Sequence, residues 1–522
     1  MATSPTQLAF CARVGVSQMD KSVLALTNGL SPGLGFTIMV GLGVFLLALS
    51  FAIKTTLVRN THDFIIADRK VGFGFGVGSV IAVWTWAMAV MMSSAMTYQW
   101  GLSGLFWFVV PNGFAVIAMI PFARILRRNM PQGYTISEFV KYRFAHSKVA
   151  SGIVTLTMIF GILLEILINL KGTSVVISTV FSVDWKVAAI VGIVCVLTYS
   201  YFGGLWTSVM TGTLNTLMVT VPAAIVVAAV YEHVQGGAPA VFDAVAAANP
   251  RNLSVLRPDA AAGFGITLAF GLLAATVADQ TFWQKVWAIR GPEVSRTFFW
   301  AGALFYPIPI CLGMLGLVGI AFGLTAADIG GDIAAVGPYV VSHIGLPLAL
   351  VILYVLSILA ACYSTIDGAS AALSSVVAVD IVKRYRPATK EGPLFVITKL
   401  SMLLGGLVAT LIVLSGVDFT TLVLTTYALK TSILLPLVLA ILWPRTNTVG
   451  FVGGVALAIL IGMPIYETQG ELIGTLSIVA ISGITVVIAG YAGSARFDIA
   501  SLRRVGDDIA SEAPAAIAQP AE

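Results

Sequence analysis

The sequence predicts an all-α polytopic membrane protein with about 13 transmembrane helices. Of its 522 residues, 58% are hydrophobic and only 10% are charged, and the mean hydropathy is +0.96. A soluble protein would carry about a quarter charged residues. A helix needs about 20 apolar residues to cross the hydrocarbon of a bilayer. Windows of that kind lie near 34–55, 74–98, 104–124, 150–181, 186–203, 207–230, 262–284, 298–323, 340–381, 395–416, 420–443, 449–466 and 472–493.

Lysines and arginines are concentrated in alternate loops, which predicts the orientation of the chain. They follow the first, third, seventh, ninth, eleventh and last windows, as expected of cytoplasmic loops. Those after the seventh window are Lys285, Arg290 and Arg296. The opposite side carries few basic residues: Arg13, Lys21, Lys186, Arg251 and Arg257. We therefore expect a protein of the plasma (inner) membrane with its N-terminus outside and its C-terminus in the cytoplasm.

The stretches outside these windows are short, and none resembles a soluble catalytic or nucleic-acid-binding module. Residues 1–33 form a predicted extracellular segment, 231–261 a predicted extracellular loop, and 496–522 an Ala- and Pro-rich tail that we expect to be disordered. The four cysteines and four histidines lack the spacing of metal ligands. The sequence therefore predicts no enzyme, no cofactor and no nucleic-acid partner.

Polar residues interrupt the ninth window at membrane depth. Ala361, Ser364 and Thr365 are three and four positions apart and share one helix face, with Asp367 close behind. Such groups persist in a bilayer mostly where something polar is bound or moved. Two hydroxyls and a carbonyl on one face suit a hard cation such as sodium. The alternative is that both hydroxyls only bond to the preceding turn of their own helix.

Two windows have the pattern of discontinuous helices. The second (74–98) and the seventh (262–284) both begin with glycines and end in a polar cluster. Interrupted helices in corresponding positions of two halves indicate a transporter binding site, because a broken helix exposes carbonyl and amide groups at the bilayer midplane. The alternative is that the glycines only allow close helix packing.

Several short motifs occur in a fixed order along these windows: Ala67-Asp68-Arg69, Thr135-Ile136-Ser137-Glu138-Phe139 with Arg143-Phe144, Gly203-Gly204-Leu205-Trp206, Asp279-Gln280 with Trp283-Gln284-Lys285, and Ala361 to Asp380. Through them the chain resembles the sodium:solute symporter family from about residue 34 to 495. The resemblance implies an inverted-repeat (5+5) core like that of the bacterial leucine transporter. Its repeats would occupy 71–230 and 262–443, and peripheral spans would occupy 34–60 and 449–495.

The resemblance also assigns a sodium site and a solute site by position. The implied sodium ligands are the carbonyls of Ala82, Thr85 and Ala361 and the hydroxyls of Ser364 and Thr365. The implied solute contacts are Asn169, Asp279 and Gln280, with Thr425 in the cavity wall. The oxygen ligands from the ninth window agree with the cluster deduced from spacing.

One departure from the family's pattern follows the fifth window. Gly212 and Asn215 stand where the family usually has an Asp and then a Gln. Within the family the missing Asp is associated with sodium access or a second ion, so the choice between sodium and proton and the stoichiometry stay open. We hypothesise that Asp367 supplies the missing charge.

Within the family the chain is most similar to the urea-permease branch. The motifs are Trp84-Thr85-Trp86, Ser93-Ser94, Tyr98 with Gly101, Ser103 and Gly104, Phe106-Trp107, and Asp279 followed by Trp283 and Lys285. Urea is small, planar and neutral, with N–H donors and one acceptor. A carboxylate, an amide and the indole faces of Trp84 and Trp86 would bind its donors and cover its flat surfaces.

Three further charged residues lie in or near the windows. Glu165 shares a helix face with Asn169, so it could belong to an ion pathway, carry a proton, or pair with a lysine from another helix. Lys171 points elsewhere and could reach the membrane interface. Lys430 could be structural or functional.

Together these observations predict a secondary active transporter that couples sodium influx to the uptake of a small polar solute, urea or a related amide. One alternative keeps the fold and moves a monocarboxylate, an amino acid or a sugar with sodium or protons, although Asp279 disfavours an anionic solute. The alternative of another class is a solute-binding membrane sensor, which the lack of a recognisable soluble output domain disfavours.

Overall fold

The computed structural model describes residues 30–415, 419–494 and 496–506, together with Met19, Leu24 and Ile509. For Met88 and 419–428 it describes the backbone alone. The predicted N-terminal segment 1–33 and tail 496–522 therefore lie largely outside the described residues. The side chain of Thr425 lies outside them as well.

The described part of the chain is helical, apart from turns and one isolated bridge. The α-helices, numbered in chain order, are α1 Pro32–Leu57, α2 Thr61–Ile66, α3 Phe73–Trp84, α4 Ser93–Trp100, α5 Leu102–Ala118, α6 Ile120–Asn129, α7 Ile136–Arg143, α8 Lys148–Phe181, α9 Trp185–His233, α10 Gly237–Ala248, α11 Pro258–Ala260, α12 Ile266–Val277, α13 Gln280–Ala288, α14 Val294–Phe305, α15 Pro307–Ala321, α16 Val336–His343, α17 Leu348–Val376, α18 Glu391–Leu414, α19 Phe419–Leu442, α20 Thr448–Leu457, α21 Met463–Gln469 and α22 Glu471–Ala492. Turns of 3-10 helix occupy Ala67–Arg69, Pro250–Leu253, Gly291–Glu293, Ile333–Ala335 and Ile499–Arg504. Turns of π-helix occupy Met88–Met92, Ala261–Gly265, Val377–Lys383 and Ala458–Gly462.

Within the described residues, 10 helices are long and apolar enough to cross a membrane, or up to 11 when one bent pair counts as a single span. The windows 186–203 and 207–230 fall in one helical run, α9. The window 420–443 corresponds to α19, whose first ten residues are described by backbone alone. The count of 13 therefore stays a prediction.

Helix α9 changes direction at Gly204. Its φ of +52° lies in the left-handed region, which L side chains rarely adopt. A Cβ at this position would come within 2.5 Å of the carbonyl oxygen of Phe64. Glycine meets both conditions, and the helical segments of the two predicted spans meet at this non-helical residue.

We expect Gly204→Ala to destabilise the protein by about 2 kcal/mol or more, from backbone strain and the clash with Phe64. The midpoint of thermal unfolding in detergent measures this loss. Gly152→Ala is the matched control, because a Cβ on Gly152 meets nothing within 4 Å and that residue lies inside helix α8. Equal midpoints for the two variants would contradict this explanation of the bend.

The two broken spans lie against the same long helices. Helix α17 packs along α8 and α9 and also contacts α3 and α13, while α8 reaches α13 and α19. A short parallel bridge between Val71 and Ile289 ties the start of the first broken span to the end of the second. In it, Val71 N donates to Ala288 O (3.1 Å) and Arg290 N donates to Val71 O (3.1 Å). The bridge joins the far ends of the two spans, whereas near the breaks themselves the rings of Trp84 and Phe282 meet at 5.1 Å.

The start of the C-terminal tail is ordered, although the whole of 496–522 was predicted to be disordered. Phe497 N donates to Pro444 O (2.9 Å), and Leu502 is buried in the main core. The guanidinium of Arg143 lies 4.4 Å from the centre of the Phe497 ring and donates to Ala440 O (2.9 Å). Burial lowers the pKa of Arg143 to about 10. Two apolar residues at 497 and 502 are enough to attach this stretch to the helical body.

Candidate functional site

The first broken span ends its initial helix at Trp84. Thr85 leaves the helical conformation (φ −84°, ψ 68°), and the chain resumes a helical course from Ala87. The two halves, Phe73–Trp84 and Ala89–Trp100, are bent by 69°. Such a break interrupts the helical ladder, so carbonyl groups of the last turn of α3 become accessible to side chains of other helices.

Four oxygens converge beside this break, and we call them the oxygen cluster: the carbonyls of Ala82 and Ala361 and the hydroxyls of Ser364 and Thr365. Ser364 Oγ lies 3.2 Å from Ala82 O and 3.0 Å from Ala361 O. Thr365 Oγ1 lies 3.5 Å from Ala82 O and 3.1 Å from Ala361 O. All four residues are buried. Each hydroxyl thus bonds back to its own helix, as the alternative reading expected, and also reaches across to α3.

Thr85, the fifth predicted sodium ligand, lies at the break itself. Its hydroxyl donates to Ile81 O (2.7 Å) and its backbone N–H to the same oxygen (2.8 Å). These two bonds close the last turn of α3. The assignment of its carbonyl as an ion ligand stays a prediction.

The second broken span stops at Val277, and Asp279 caps the helix that follows. Asp279 Oδ1 accepts hydrogen bonds from Thr281 N (2.8 Å) and from the Thr281 hydroxyl. Trp283 Nε1 donates to Val277 O (2.7 Å) and so occupies a carbonyl at the end of α12. Both breaks predicted from the glycine and polar pattern are therefore confirmed.

A buried charge cluster joins this second break to helices α8 and α19; it consists of Glu165, Asp279, Thr281 and Lys430. Lys430 Nζ pairs closely with Asp279 Oδ2 and lies 3.6 Å from Glu165 Oε1. Thr281 Oγ1 lies 3.0 Å from Glu165 Oε2. The three charged side chains are each 1% exposed. Gly161 leaves room for the lysine, because a Cβ there would lie 2.8 Å from Lys430 Nζ.

Asn169 and Gln280, two predicted solute contacts, are bonded to the protein through their amides. Asn169 Oδ1 accepts from Ala87 N (2.8 Å), and its Nδ2 donates to Glu165 O (2.7 Å). Asn169 thus caps the second half of the first broken span. Gln280 Nε2 donates to Tyr134 O (2.8 Å), and its Oε1 accepts from Ile136 N (3.1 Å). Gln280 therefore anchors the segment before α7, and a solute contact at either residue stays a prediction.

Trp84 and Trp86 lie on either side of the first break, with ring centroids 5.8 Å apart. Trp84 Nε1 donates to Asn112 O (3.0 Å), and its ring also meets Phe282 edge-on at 5.1 Å. Trp86 is 5% exposed, and its buried Nε1 has no hydrogen-bond partner among the described residues. A buried donor of this kind is uncommon in a folded protein and calls for an explanation.

Asp367 faces helix α9 rather than the oxygen cluster. Its two carboxylate oxygens accept from Ser200 Oγ (2.5 Å) and Thr211 Oγ1 (3.2 Å). The neighbouring Gly212 lies against α3, where a Cβ would come 3.1 Å from the Cβ of Ala82. In this chain a carboxylate on α17 therefore reaches the stretch of α9 where the family's pattern has its acidic residue.

Comparison with known proteins decides the family. Residues 64–458 match the sequence model of the sodium:solute symporter family. The chain belongs to this family. The symporter is thus a membrane transporter rather than an enzyme, as predicted from the sequence.

The relatives of the symporter include proteins named for urea. The Urea-proton symporter DUR3 of Oryza sativa subsp. japonica is 24% identical over 517 residues, which cover 90% of this chain and 70% of the rice protein. Probable urea active transporter 1 of Schizosaccharomyces pombe is 25% identical over 313 residues, which cover 56% of this chain and 46% of the yeast protein. The predicted similarity to the urea-permease branch is confirmed at this level.

Among solved structures, a Na+-coupled sialic acid symporter in its substrate-bound, outward-open state is similar to this symporter. The TM-score is 0.75 at 17% identity, and the match covers 89% of this chain and 98% of that chain. At this identity the likeness concerns the fold. It confirms the predicted fold class, an all-α transporter with a leucine-transporter-like core.

The position of Lys285 directly after the seventh window predicts a cytoplasmic loop residue, and this prediction is wrong. Lys285 lies on α13, is 2% exposed, and points its Nζ at Ser208 Oγ (3.5 Å), close enough to Asp367 for the charges to interact. It follows directly on an apolar window, so hydropathy alone assigned it to a loop. Lys171, by contrast, is 42% exposed and lies 3.9 Å from Asp332, as expected of a residue near the surface.

Proposed function

We propose that this symporter couples sodium influx to the uptake of urea or a closely related small amide. The observation that carries the proposal is the oxygen cluster where α17 meets the break in the first bent span. Oxygen ligands suit a hard cation, and neutral carbonyls and hydroxyls suit a monovalent one. Sodium held there would bridge α3 and α17.

Sodium bound between α3 and α17 gives a physical basis for coupling. The hydroxyl oxygens of Ser364 and Thr365 would turn their lone pairs toward the ion. The carbonyl of Ala82 would bind the same ion, which would fix the end of α3 at the break. The solute binds beside a break that the ion has already ordered, so the ion raises the affinity for the solute. Release of both on the inner side follows when the helices that enclose the site shift together.

The proposed solute pocket combines aromatic ring faces with one hydrogen-bond donor and several hydrogen-bond acceptors. Trp86 Nε1 supplies a donor for the carbonyl oxygen of urea, which is its best acceptor. The carboxyl oxygens of Asp279 and Glu165 supply acceptors for the N–H groups. Because this cluster holds two carboxyl groups and one lysine, it favours a neutral donor-rich solute over a monocarboxylate. The names of the rice and yeast relatives support urea in particular.

The proposal is tested by uptake of labelled urea into vesicles reconstituted with the full chain. We expect an inward sodium gradient, with equal pH on both sides, to drive urea above its equilibrium concentration. A sodium ionophore should abolish the accumulation. Gradient-driven uptake of acetate or proline without uptake of urea would reject the solute. Urea equilibration that ignores all ion gradients would reject coupled transport.

We expect Trp86→Phe to raise the KM for urea about tenfold, because it removes one hydrogen bond to the solute and keeps an aromatic ring. Trp84→Phe is the matched control. It removes the bond to Asn112 O, so we expect it to lower stability by about 1 kcal/mol and to change the KM much less. Urea titration of uptake and thermal unfolding separate the two effects. A reversed pattern would exclude Trp86 as a solute contact.

The proposed orientation in the plasma (inner) membrane rests on the distribution of basic residues. Loops rich in lysine and arginine face the cytoplasm in most membrane proteins. We therefore propose that the N-terminus is outside and the C-terminus inside. The side of each terminus is read by a membrane-impermeant thiol reagent applied to cells that carry Ser4→Cys or Ser511→Cys in a chain whose own four cysteines, Cys11 among them, are replaced by serine. Labelling of the Ser511→Cys variant alone would contradict the proposed orientation and show the opposite one.

A further inference from the structure

The buried charge cluster has more acid than base. Two carboxyl groups, Glu165 and Asp279, share one ammonium group, Lys430, and all three are 1% exposed. With both carboxyl groups ionised the cluster would hold a net negative charge away from water, which is costly. One bound proton makes it neutral. The charge count therefore favours one bound proton in the cluster.

The hydroxyl of Thr281 decides the hydrogen-bond count. Thr281 Oγ1 is within bonding distance of Asp279 Oδ1 and lies 3.0 Å from Glu165 Oε2. A hydroxyl has one hydrogen, whereas an ionised carboxylate has none and can only accept. One donor cannot serve two carboxylates. Both contacts are hydrogen bonds only when one of the two carboxyl groups carries a proton and donates to Thr281.

The surroundings distinguish the two carboxyl groups. Asp279 has the closer pairing with Lys430 and accepts from a backbone N–H, Thr281 N, at 2.8 Å. Both contacts favour its ionised form. Glu165 is 3.6 Å from Lys430 Nζ, lies 3.0 Å from the Thr281 hydroxyl, and also interacts with the carboxyl group of Asp279. The charged groups that face Glu165 from the packed elements are Lys430 on α19 and Asp279 at the start of α13.

We propose that Glu165 is a proton-binding residue of this symporter and that its proton crosses the membrane with the solute. Glu165 Oε2 donates to Thr281 Oγ1, and Thr281 donates to Asp279 Oδ1. A proton from the outer solution converts the Glu165 carboxylate to the acid, and the same proton leaves on the inner side, so no other reactant is needed. The inference rests on the proposed function, since it names a coupling ion for the same solute.

Glu165 is connected to both breaks. The carbonyl of Glu165 accepts from Asn169 Nδ2, and Asn169 Oδ1 caps the resumed helix of the first span at Ala87 N. Through Thr281 the carboxyl group meets the start of α13, the second half of the other span. Glu165 is thus linked to the first break through its backbone carbonyl and to the second break through its carboxyl group. Protonation of Glu165 neutralises the charge cluster beside the second break.

The test uses vesicles with the full chain, equal sodium on both sides and a pH-sensitive dye inside. We expect an inward urea gradient to acidify the wild-type lumen, and urea exchange to slow as pH rises. In Glu165→Gln, the protons that enter per urea should fall at least about tenfold, and the remaining exchange should not vary with pH. Glu138→Gln, a buried carboxyl outside the cluster, should behave as wild type. Unchanged proton entry in Glu165→Gln would overturn the proposal.

A second variant covers the case in which Glu165→Gln does not fold. Thr281→Val keeps every charge and removes the bridging hydroxyl, so we expect the pH of half-maximal exchange to move by about one unit. No movement would overturn the proposal. Wild-type urea transport without proton entry would overturn it while leaving sodium-coupled urea uptake intact, whereas no urea transport at all would overturn both.

Discussion

We expect sodium-driven urea uptake to require far more sodium when the two hydroxyls of the oxygen cluster are removed together, in Ser364→Ala/Thr365→Val. The two side chains supply half of the four converging oxygens, and valine keeps the shape of threonine. If each ligand contributes about 1.5 kcal/mol, the apparent affinity for sodium falls roughly a hundredfold. The sodium concentration that gives half-maximal urea uptake measures the change.

Ser357→Ala is the matched control for this variant. Ser357 lies on the same helix, is equally buried, and donates to Tyr354 O (2.7 Å) in its own preceding turn. It shares the residue type and the local bond but lies about two turns before Ser364 and about one turn before Ala361. If Ser357→Ala and the double variant shift the sodium dependence equally, the hydroxyls act through helix stability and the cluster is not the sodium site.

The second large effect is expected at Lys430. Lys430→Met leaves the carboxylate of Asp279 buried without its cation, and loss of one partner of a buried pair costs about 3–5 kcal/mol. We expect a strongly lowered midpoint of thermal unfolding in detergent. Lys430→Met/Asp279→Asn removes both charges, so it should recover most of the lost stability.

Lys171→Met is the control for the loss of a lysine, because Lys171 is 42% exposed and its ion pair is long. Exposed pairs contribute about 0–1 kcal/mol, so little change is expected there. If the Lys430→Met midpoint equals that of Lys171→Met, the buried charge cluster does not stabilise the fold. If the double variant is no more stable than Lys430→Met, the cost lies in lost packing and not in the unpaired charge.

The spans and breaks of the fold could largely be predicted from the sequence because they depend on local residue patterns. Apolar length predicts spans, and the glycine and polar clusters predict the breaks after Trp84 and Val277. The spacing of Ala361, Ser364 and Thr365 predicts a shared face. Each of these inferences needs only neighbouring residues and the geometry of a helix.

Contacts between distant helices could not be predicted in the same way. Lys430 and Asp279 are 151 positions apart, and their residue types alone do not show that they pair. Lys285 follows an apolar window and was assigned to a loop, yet tertiary packing buries it. The amides of Asn169 and Gln280 bond to backbone groups 82 and 146 positions away, which family position does not show, and their predicted contact with the solute stays a prediction.

Equilibrium binding of radioactive sodium to the purified chain tests the central claim most directly. We expect saturable binding to the wild type and to Ser357→Ala, a roughly hundredfold weaker affinity in Ser364→Ala/Thr365→Val, and tighter sodium binding when urea is present. Sodium binding that is equally strong in the double variant, or indifferent to urea in the wild type, would contradict the account.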